Sequence, residues 1–391
     1  MLIIQGFSET RSTYCRATNY LRLYGWVLSP IVDEIKVYSK NKEIGSAIVG
    51  LPSEKIWESH HKQGSKNSAW KFESKIGFQL DSKNLSIHFY KNKNLLFINK
   101  FPMNINKKQE KYLEKYLENF KFTNDEKIPL GKKYTNIKKI LLEFKKKDIE
   151  VKNIDFSYKK YMSWFKKVDY FNNYPSYCEA HGGHDIHTKA LQHYLSIELL
   201  DLHKDDIYMD IASSSSVCPD IVKSFYTKNI FRQDIRYKKG VHKEFIGSNA
   251  ESIPVLNDSI DKMSLHCSLE HFENDSDINL FEEMHRILKR NGKAVITPLY
   301  LSKQARIITS PSVWTTKYNG VTEFPKFTKG YKLVLNEEHK QRYYKRFSVK
   351  TLEREILTPF KDKFMFEVYY MEDPKKNILY HPAFTLVCTK K

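Results

Sequence analysis

At 391 residues the chain is long for one domain and leads us to expect two or three; its 41% hydrophobic and 14% aromatic content excludes a globally disordered polymer. The net charge of +19 is spread over lysine-rich stretches such as 107–118 and 141–153, with no interleaving of arginines and aromatics, so it predicts a soluble surface and disfavours nucleic acid as the partner. No apolar run reaches the roughly 18 residues of a membrane span. The amino terminus lacks the basic lead-in of a secretory signal, and five scattered cysteines without C-x-x-C spacing fit a reducing, cytoplasmic compartment with no metal centre.

In chain order, short strand-like runs come first: Tyr20 to Leu28, Ile35 to Tyr38, Ile44 to Val49, Ile76 to Leu80, Leu85 to Tyr90 and Leu95 to Ile98, parted by Asp/Ser/Lys/Asn turns. Their near-regular spacing predicts a small antiparallel β-sandwich over 1–103. Residues 104–160 change character. Tyr112, Leu113, Tyr116, Leu117 and Phe120 fall at helical spacing among lysines and glutamates, and Pro129-Leu130-Gly131 breaks the pattern, which predicts a helical connector.

From 161 onward strands alternate with helices. The helix pattern of Ala190 to Leu202 precedes a strand, Ile207 to Ile211, then a helix from Pro219 to Phe225 and a strand at Ile230-Phe231 leading to Asp234. Residues 247–300 hold the densest information. A small-residue turn with Asn249 and Ala250 leads to an apolar run, Met263 to Leu265, and the polar cluster His266-Cys267-Ser268-Leu269-Glu270-His271. A helix with Leu280, Phe281, Met284, Ile287 and Leu288 apolar follows, then Gly292 and the strand Ala294 to Thr297. A long irregular insert to about Arg346, a helix at Val349 to Leu357, and β-like runs at Phe364 to Tyr370 and Phe384 to Cys388 complete the pattern. The fold class expected for 161–391 is α/β, a mostly parallel sheet with an antiparallel C-terminal hairpin and a ligand at the carboxyl edge.

The segments KALQHYLSIELL, YMDIASSSSVCP, FRQDIRYKKG, LHCSLEHFEND and ITPLYL resemble a subgroup of the class I S-adenosylmethionine-dependent methyltransferases, the type 11-like domains with a Rossmann-like fold. Gly25-Trp26-Val27, Ile44-Gly45-Ser46-Ala47, Gly50-Leu51-Pro52 and Gly77-Phe78 look like a β-sandwich module attached to bacterial glycan-modifying enzymes. The first resemblance implies S-adenosyl-L-methionine as cofactor, held by Asp210, Ala212, Ser213, Asp234, Asn249, Ala250 and His266. Asp234 stands where an acidic residue accepts from the ribose hydroxyls, and Asn249 where an Asp usually meets the adenine amine. The turn after Asp210 departs from the family in having no glycine; its serines can still present backbone N–H groups.

A hydroxyl acceptor must lose a proton, so His271, Glu270 and His266 are the catalytic candidates, with His271 as base and Glu270 either orienting it or binding substrate. The rival reading makes His271 a capping or supporting residue. His181, His184 and His187, a loop-like H-x-x-H-x-x-H beside Gly182-Gly183, are expected to line the acceptor pocket from a lid rather than hold a metal. Together these features predict an O-methyltransferase acting on a sugar or glycan precursor of a bacterial surface polysaccharide such as capsule or O-antigen, in association with polysaccharide-synthesis enzymes. The alternatives are a non-catalytic methyltransferase-fold scaffold, a nucleic-acid methyltransferase, and an N- or phosphonate-directed enzyme.

Overall fold

The structure is a computed structural model. It describes residues 11–15, 20–27, 32–40, 42–51, 69–75, 85–101, 122–123, 137–181, 186–310, 313, 325–336, 341–372 and 383–391. The chain divides into two units: Met1–Asn124 with Thr309–Thr316 and Leu335–Arg342, and Asp125–Ile308 with Lys317–Val334 and Tyr343–Lys391. The strand expected at Ile76 to Leu80, the connector residues 107–120, Pro129-Leu130-Gly131 and the Gly182-Gly183-His184 loop lie outside the described residues.

The first unit contains β1 (Arg11–Cys15), β2 (Tyr20–Trp26), β3 (Glu34–Ser39), β4 (Lys42–Leu51), β5 (Ala69–Lys75), β6 (Leu85–Lys91), β7 (Asn94–Phe101) and the two-residue β8 (Phe122–Thr123). Side chains of β3 and β6 alternate between buried and half-exposed, the period of a strand with one face on a core. The hydrogen-bonded order β1-β2-β5-β4-β3-β6-β7 is antiparallel and continuous. Where two stacked sheets were expected, the described strands therefore form one sheet. It curls on itself: β5 and β6 are three strand spacings apart, about 14 Å if flat, yet the rings of Trp70 and Phe89 meet at 6.1 Å between centroids. Leu21, Leu23, Ile35, Val37, Phe72 and Ile87 fill the hollow of that curl. Gly45 permits it, since its φ is +149° and a Cβ there would lie 2.8 Å from the Phe72 ring.

The second unit is a sheet with helices on it. Its strands are β9 (Val151–Asn153), β10 (Tyr208–Ile211), β11 (Ile230–His242), β12 (Phe245–Gly247), β13 (Ile260–His266), β14 (Leu288–Thr297), β18 (Phe364–Tyr370) and β19 (Phe384–Lys390). Their order is β12-β11-β10-β13-β14-β19-β18-β9. Pairings from β12 to β14 are parallel; β19 enters antiparallel between β14 and β18. β10 is central and buried at all four positions, as a parallel strand covered on both faces must be.

The helices are α1 (Ile137–Lys146), α2 (Tyr158–Val168), α3 (Tyr170–Asn173), α4 (Pro175–Ala180), α5 (Ile186–Leu200), α6 (Cys218–Phe225), α7 (Ser276–Ile287) and α8 (Val349–Leu352). Eleven of the fifteen residues of α5 are buried, so it lies inside the unit rather than on it. Tyr161, Trp164, Phe165 and Tyr170 pack over it and against its own Tyr194 as an aromatic layer, each burial contributing about 1.5–3 kcal/mol. Part of the span expected to be a connector belongs here: α1 buries Ile140 and Phe144, and β9 pairs in parallel with β18. The insert after Tyr300 is also more regular than expected. β15 (Arg306–Thr309) pairs antiparallel with β17 (Tyr344–Arg346) and has β16 (Lys332–Leu335) on its other side. Among the described residues no helix is long and apolar enough to cross a membrane.

β11 outruns its parallel pairing and turns back against β12, bringing the Lys238 carbonyl oxygen within 2.1 Å of where a Cβ on Gly247 would be. Any side chain there must push backbone aside. Gly247→Ala is expected to cost about 1–3 kcal/mol or more in urea unfolding; an unchanged midpoint would show that the close approach is not needed.

Candidate functional site

Asp210 is the last residue but one of β10, in the middle of the sheet, and is 1% exposed. Its Oδ1 accepts from the Ser264 hydroxyl (2.6 Å) and faces His266 Nδ1 (3.2 Å), while Ser264 is also joined to the Tyr208 hydroxyl (2.5 Å). Its Oδ2 is buried with no hydrogen-bond partner. The other nitrogen of His266, Nε2, meets Ser196 Oγ on α5 at 2.6 Å. As placed, both ring nitrogens of His266 are engaged, one with Asp210 and one with Ser196.

The glycine-free turn achieves a glycine-like path by another route. Ala212 and Ser214 both take left-handed backbone, at φ +53° and +47°, a conformation that disfavours a Cβ by about 1–2 kcal/mol. Hydrogen bonds hold it. Asp234, 5% exposed, accepts the Ser214 N–H on Oδ2 and the Arg236 N–H on Oδ1, both at 2.8 Å. Arg236 donates back to Ser214 Oγ (2.7 Å) and the Tyr237 hydroxyl to the Ser214 carbonyl (2.5 Å). Ser213 Oγ is buried without a partner. Pro219 lies in the first turn of α6, as the pattern predicted, and Arg232 bridges Asp220 of that helix to Glu244.

Gln233, which sequence reasoning passed over, joins two loops. Its Oε1 accepts the Ala212 N–H (3.1 Å) and its Nε2 donates to the Ser248 carbonyl (2.6 Å). The available signal was a second polar residue beside Asp234 at the end of a buried strand. Ala250 is buried and Asn249 exposed; the Asn249 amide donates to Glu251 Oε1 (3.2 Å). Burial pushes the Glu251 carboxyl up, but hydrogen bonds from Ser276, Asn279 and Asn249 outweigh it and leave the group below its ordinary value.

Past β13, Cys267 takes φ +49° and the chain enters a 3-10 turn, Leu269–His271. His271 Nδ1 lies 2.8 Å from the Tyr343 carbonyl, which can only accept, so in the neutral ring the proton is on Nδ1 and Nε2 carries the lone pair. That Nε2 is 3.7 Å from Glu270 Oε1. Glu270 is buried, its Oε2 has no partner, and burial pushes its carboxyl up against the opposing pull of His271, Lys189 and Arg346. Tyr344 packs edge-on to His271, and Tyr300 lies 5.3 Å from Tyr344 with its hydroxyl 3.7 Å from Cys267 Sγ.

Above this edge α3, α4 and α5 supply a polar underside. His193 is buried against Tyr170 (Nδ1 to hydroxyl, 2.9 Å) and edge-on to His266, and burial, with the positive neighbours His266, Lys189 and His181, holds it well below the usual histidine value. Gln192 accepts from Cys267 Sγ at 3.2 Å. His181 packs against Tyr177, whose hydroxyl burial pushes up. His187 stacks on Phe165 at 4.5 Å in the aromatic layer. His184 lies outside the described residues. A separate hollow of 630 Å³ runs along α7 past Glu251, Asn279, Arg286 and Lys390, but it includes none of Asp210, Asp234, His266 or Glu270.

Residues 207–296, from β10 through β14, match the sequence family described as Methyltransferase domain. The match covers the strands from β10 to β14 and does not extend over the rest of the chain. No curated protein sequence matches it significantly. Among solved structures it is similar to the YcgJ protein of Bacillus subtilis (22% identity over 28% of this chain and 51% of that one, TM-score 0.25). It is also similar to the 1,6-didemethyltoxoflavin-N1-methyltransferase of Burkholderia thailandensis, solved with S-adenosylhomocysteine (11%, 61% and 93%, 0.36). A third is an S-adenosylmethionine-dependent methyltransferase from Methanosarcina mazei (16%, 50% and 96%, 0.31). The chain spans about half the length of the first of these. With TM-scores this low, the assignment rests on the family match.

The domain's cofactor is S-adenosyl-L-methionine. The donor set fits it: Asp210 Oδ2 and Ser213 Oγ are buried polar atoms lacking partners at the carboxyl edge, where the cofactor's ammonium and carboxylate can supply them. If strain is what the serine turn trades for its shape, Ala212→Gly and Ser214→Gly will each raise stability by up to about 1 kcal/mol in denaturant titration. A loss of stability in both would show the left-handed positions to be unstrained.

Proposed function

We propose that the chain is an O-methyltransferase whose acceptor is a sugar or glycan hydroxyl. The observation that carries this reading is the His271 ring, anchored through Nδ1 so that Nε2 is the basic nitrogen, with the buried Glu270 carboxyl beside it. Bound S-adenosyl-L-methionine supplies an electrophilic methyl group. The chain's residues do the rest. Asp210 and Ser213 would hold the cofactor's amino-acid end, and Asp234, with lone pairs beyond the two backbone bonds it accepts, its ribose; Asn249 and Ala250 would flank the adenine. His271 Nε2 would take the acceptor's proton as the hydroxyl oxygen becomes nucleophilic, and the Tyr343 carbonyl would hold the ring in register while it does so. The helical cap with His181 and Tyr177 would exclude water. The sugar class is supported by the resemblance of the N-terminal segment to modules on glycan-modifying enzymes, and the surface-polysaccharide context by the resemblance of the later segments to a methyltransferase subgroup often encoded near surface-polysaccharide synthesis genes.

Calorimetric titration with S-adenosyl-L-methionine and S-adenosylhomocysteine tests the first half. One-to-one binding that weakens tenfold or more in Asp234→Ala is expected. A folded chain that binds neither ligand would sink the reading and leave a scaffold in its place. With an acceptor found by screening sugars, His271→Ala should lower turnover about 10²–10⁴-fold; unchanged turnover at saturation would remove His271 as base.

A further inference from the structure

Two side chains near the end of β13 each carry one buried polar atom without a hydrogen-bond partner. Glu270 Oε2 has no donor and Arg346 Nε has no acceptor. The Arg346 side chain makes no hydrogen bond or ion pair among the described residues; its guanidinium lies instead over the rings of Tyr300 (5.9 Å) and Tyr344 (5.4 Å). His271 and Tyr344 stand between them: His271 Nε2 is 3.7 Å from Glu270 Oε1, its ring packs edge-on to Tyr344, and Arg346 lies over the Tyr344 ring.

The arrangement is fixed from behind. Along β17, Tyr344 and Arg346 share one face and Lys345 takes the other, where it is fully buried, 2.6 Å from Asp277 and 3.5 Å from Glu355. Breaking such a buried pair would strand a charge in the interior, so β17 is held in register and Arg346 with it. A buried guanidinium edge without an acceptor is costly to maintain unless something supplies the acceptor. What would satisfy both orphans at once is a ligand with an anionic oxygen for Arg346 and, next to it, a hydroxyl for Glu270. The flat guanidinium suits a carboxylate or phosphate.

Building on the sugar-acceptor reading above, we infer that the acceptor is acidic: a sugar bearing a carboxylate or a phosphate close to the hydroxyl that is methylated, with Arg346 as the residue that selects it. Arg346 is here a recognition residue. It holds the anionic group while His271 faces the neighbouring hydroxyl.

The test uses the full chain saturated with S-adenosylhomocysteine and titrated with D-glucuronate, D-glucose 6-phosphate and D-glucose. We expect one of the two acidic sugars to bind at least tenfold more tightly than glucose; which one does separates carboxylate from phosphate. Arg346→Gln should remove that advantage, Arg346→Lys should keep part of it, and both should bind S-adenosylhomocysteine as the parent does, which shows that they fold. Equal binding of all three sugars, binding of none, or an advantage that survives Arg346→Gln would overturn the inference while leaving the methyltransferase reading intact. Failure of the parent chain to bind S-adenosylhomocysteine would overturn both.

Discussion

A carboxylate buried at the centre of a sheet is expensive, and the second unit is organised around making one tolerable. Asp210 is tied to Ser264 and His266 on the neighbouring strand, and His266 is tied in turn to Ser196 on the buried helix. Each of these groups exists in its observed orientation because the next one accepts or donates. Burial makes the network demanding as well as strong, since removing one member strands the others in a medium that solvates them poorly. One oxygen of Asp210 remains outside the network, buried without a hydrogen-bond partner.

The two histidines of β13 and its following turn are separated by this logic. Cys267, in a left-handed conformation, reverses the direction of the chain between them. His266 points into the network and is consumed by it. His271 lands beyond the reversal, fastened at one nitrogen by a backbone carbonyl from β17's approach and open at the other. Six residues of sequence thus hold one ring that sets the position of a carboxylate and another whose lone pair faces outward.

Much of this could be read from the residues alone. Apolar runs bounded by polar strand ends placed β10, β13 and β14, and the acidic ends of the first strands marked Asp210 and Asp234, because a parallel strand buried on both faces leaves a clear signature. The polar face of α5 was not legible: Gln192, His193 and Ser196 sit in a helix apolar nearly all round, where three polar residues look like scatter until their partners are known. Gln233 was hidden behind its more obvious neighbour. Arg346 and Tyr344 lay in an insert whose strands are three or four residues long, too short for periodicity to register. The first unit was read as strands correctly but as two sheets, because sequence shows which residues face inward and not which strands are bonded to which.

The position of β19 has a consequence for how the protein is made. The parallel strands from β12 to β14 are complete once residue 297 has left the ribosome, but the far edge of β14 stays open until residues 384–390 arrive to pair with it. β18 cannot dock before β19, and β9, more than 200 residues upstream, cannot dock before β18. During synthesis of the intervening stretch the nascent chain displays a hydrophobic strand with unpaired backbone, the kind of edge that recruits other chains. The last strands to emerge therefore act as a seal on the sheet, and the interval before they arrive is when the chain most needs a chaperone.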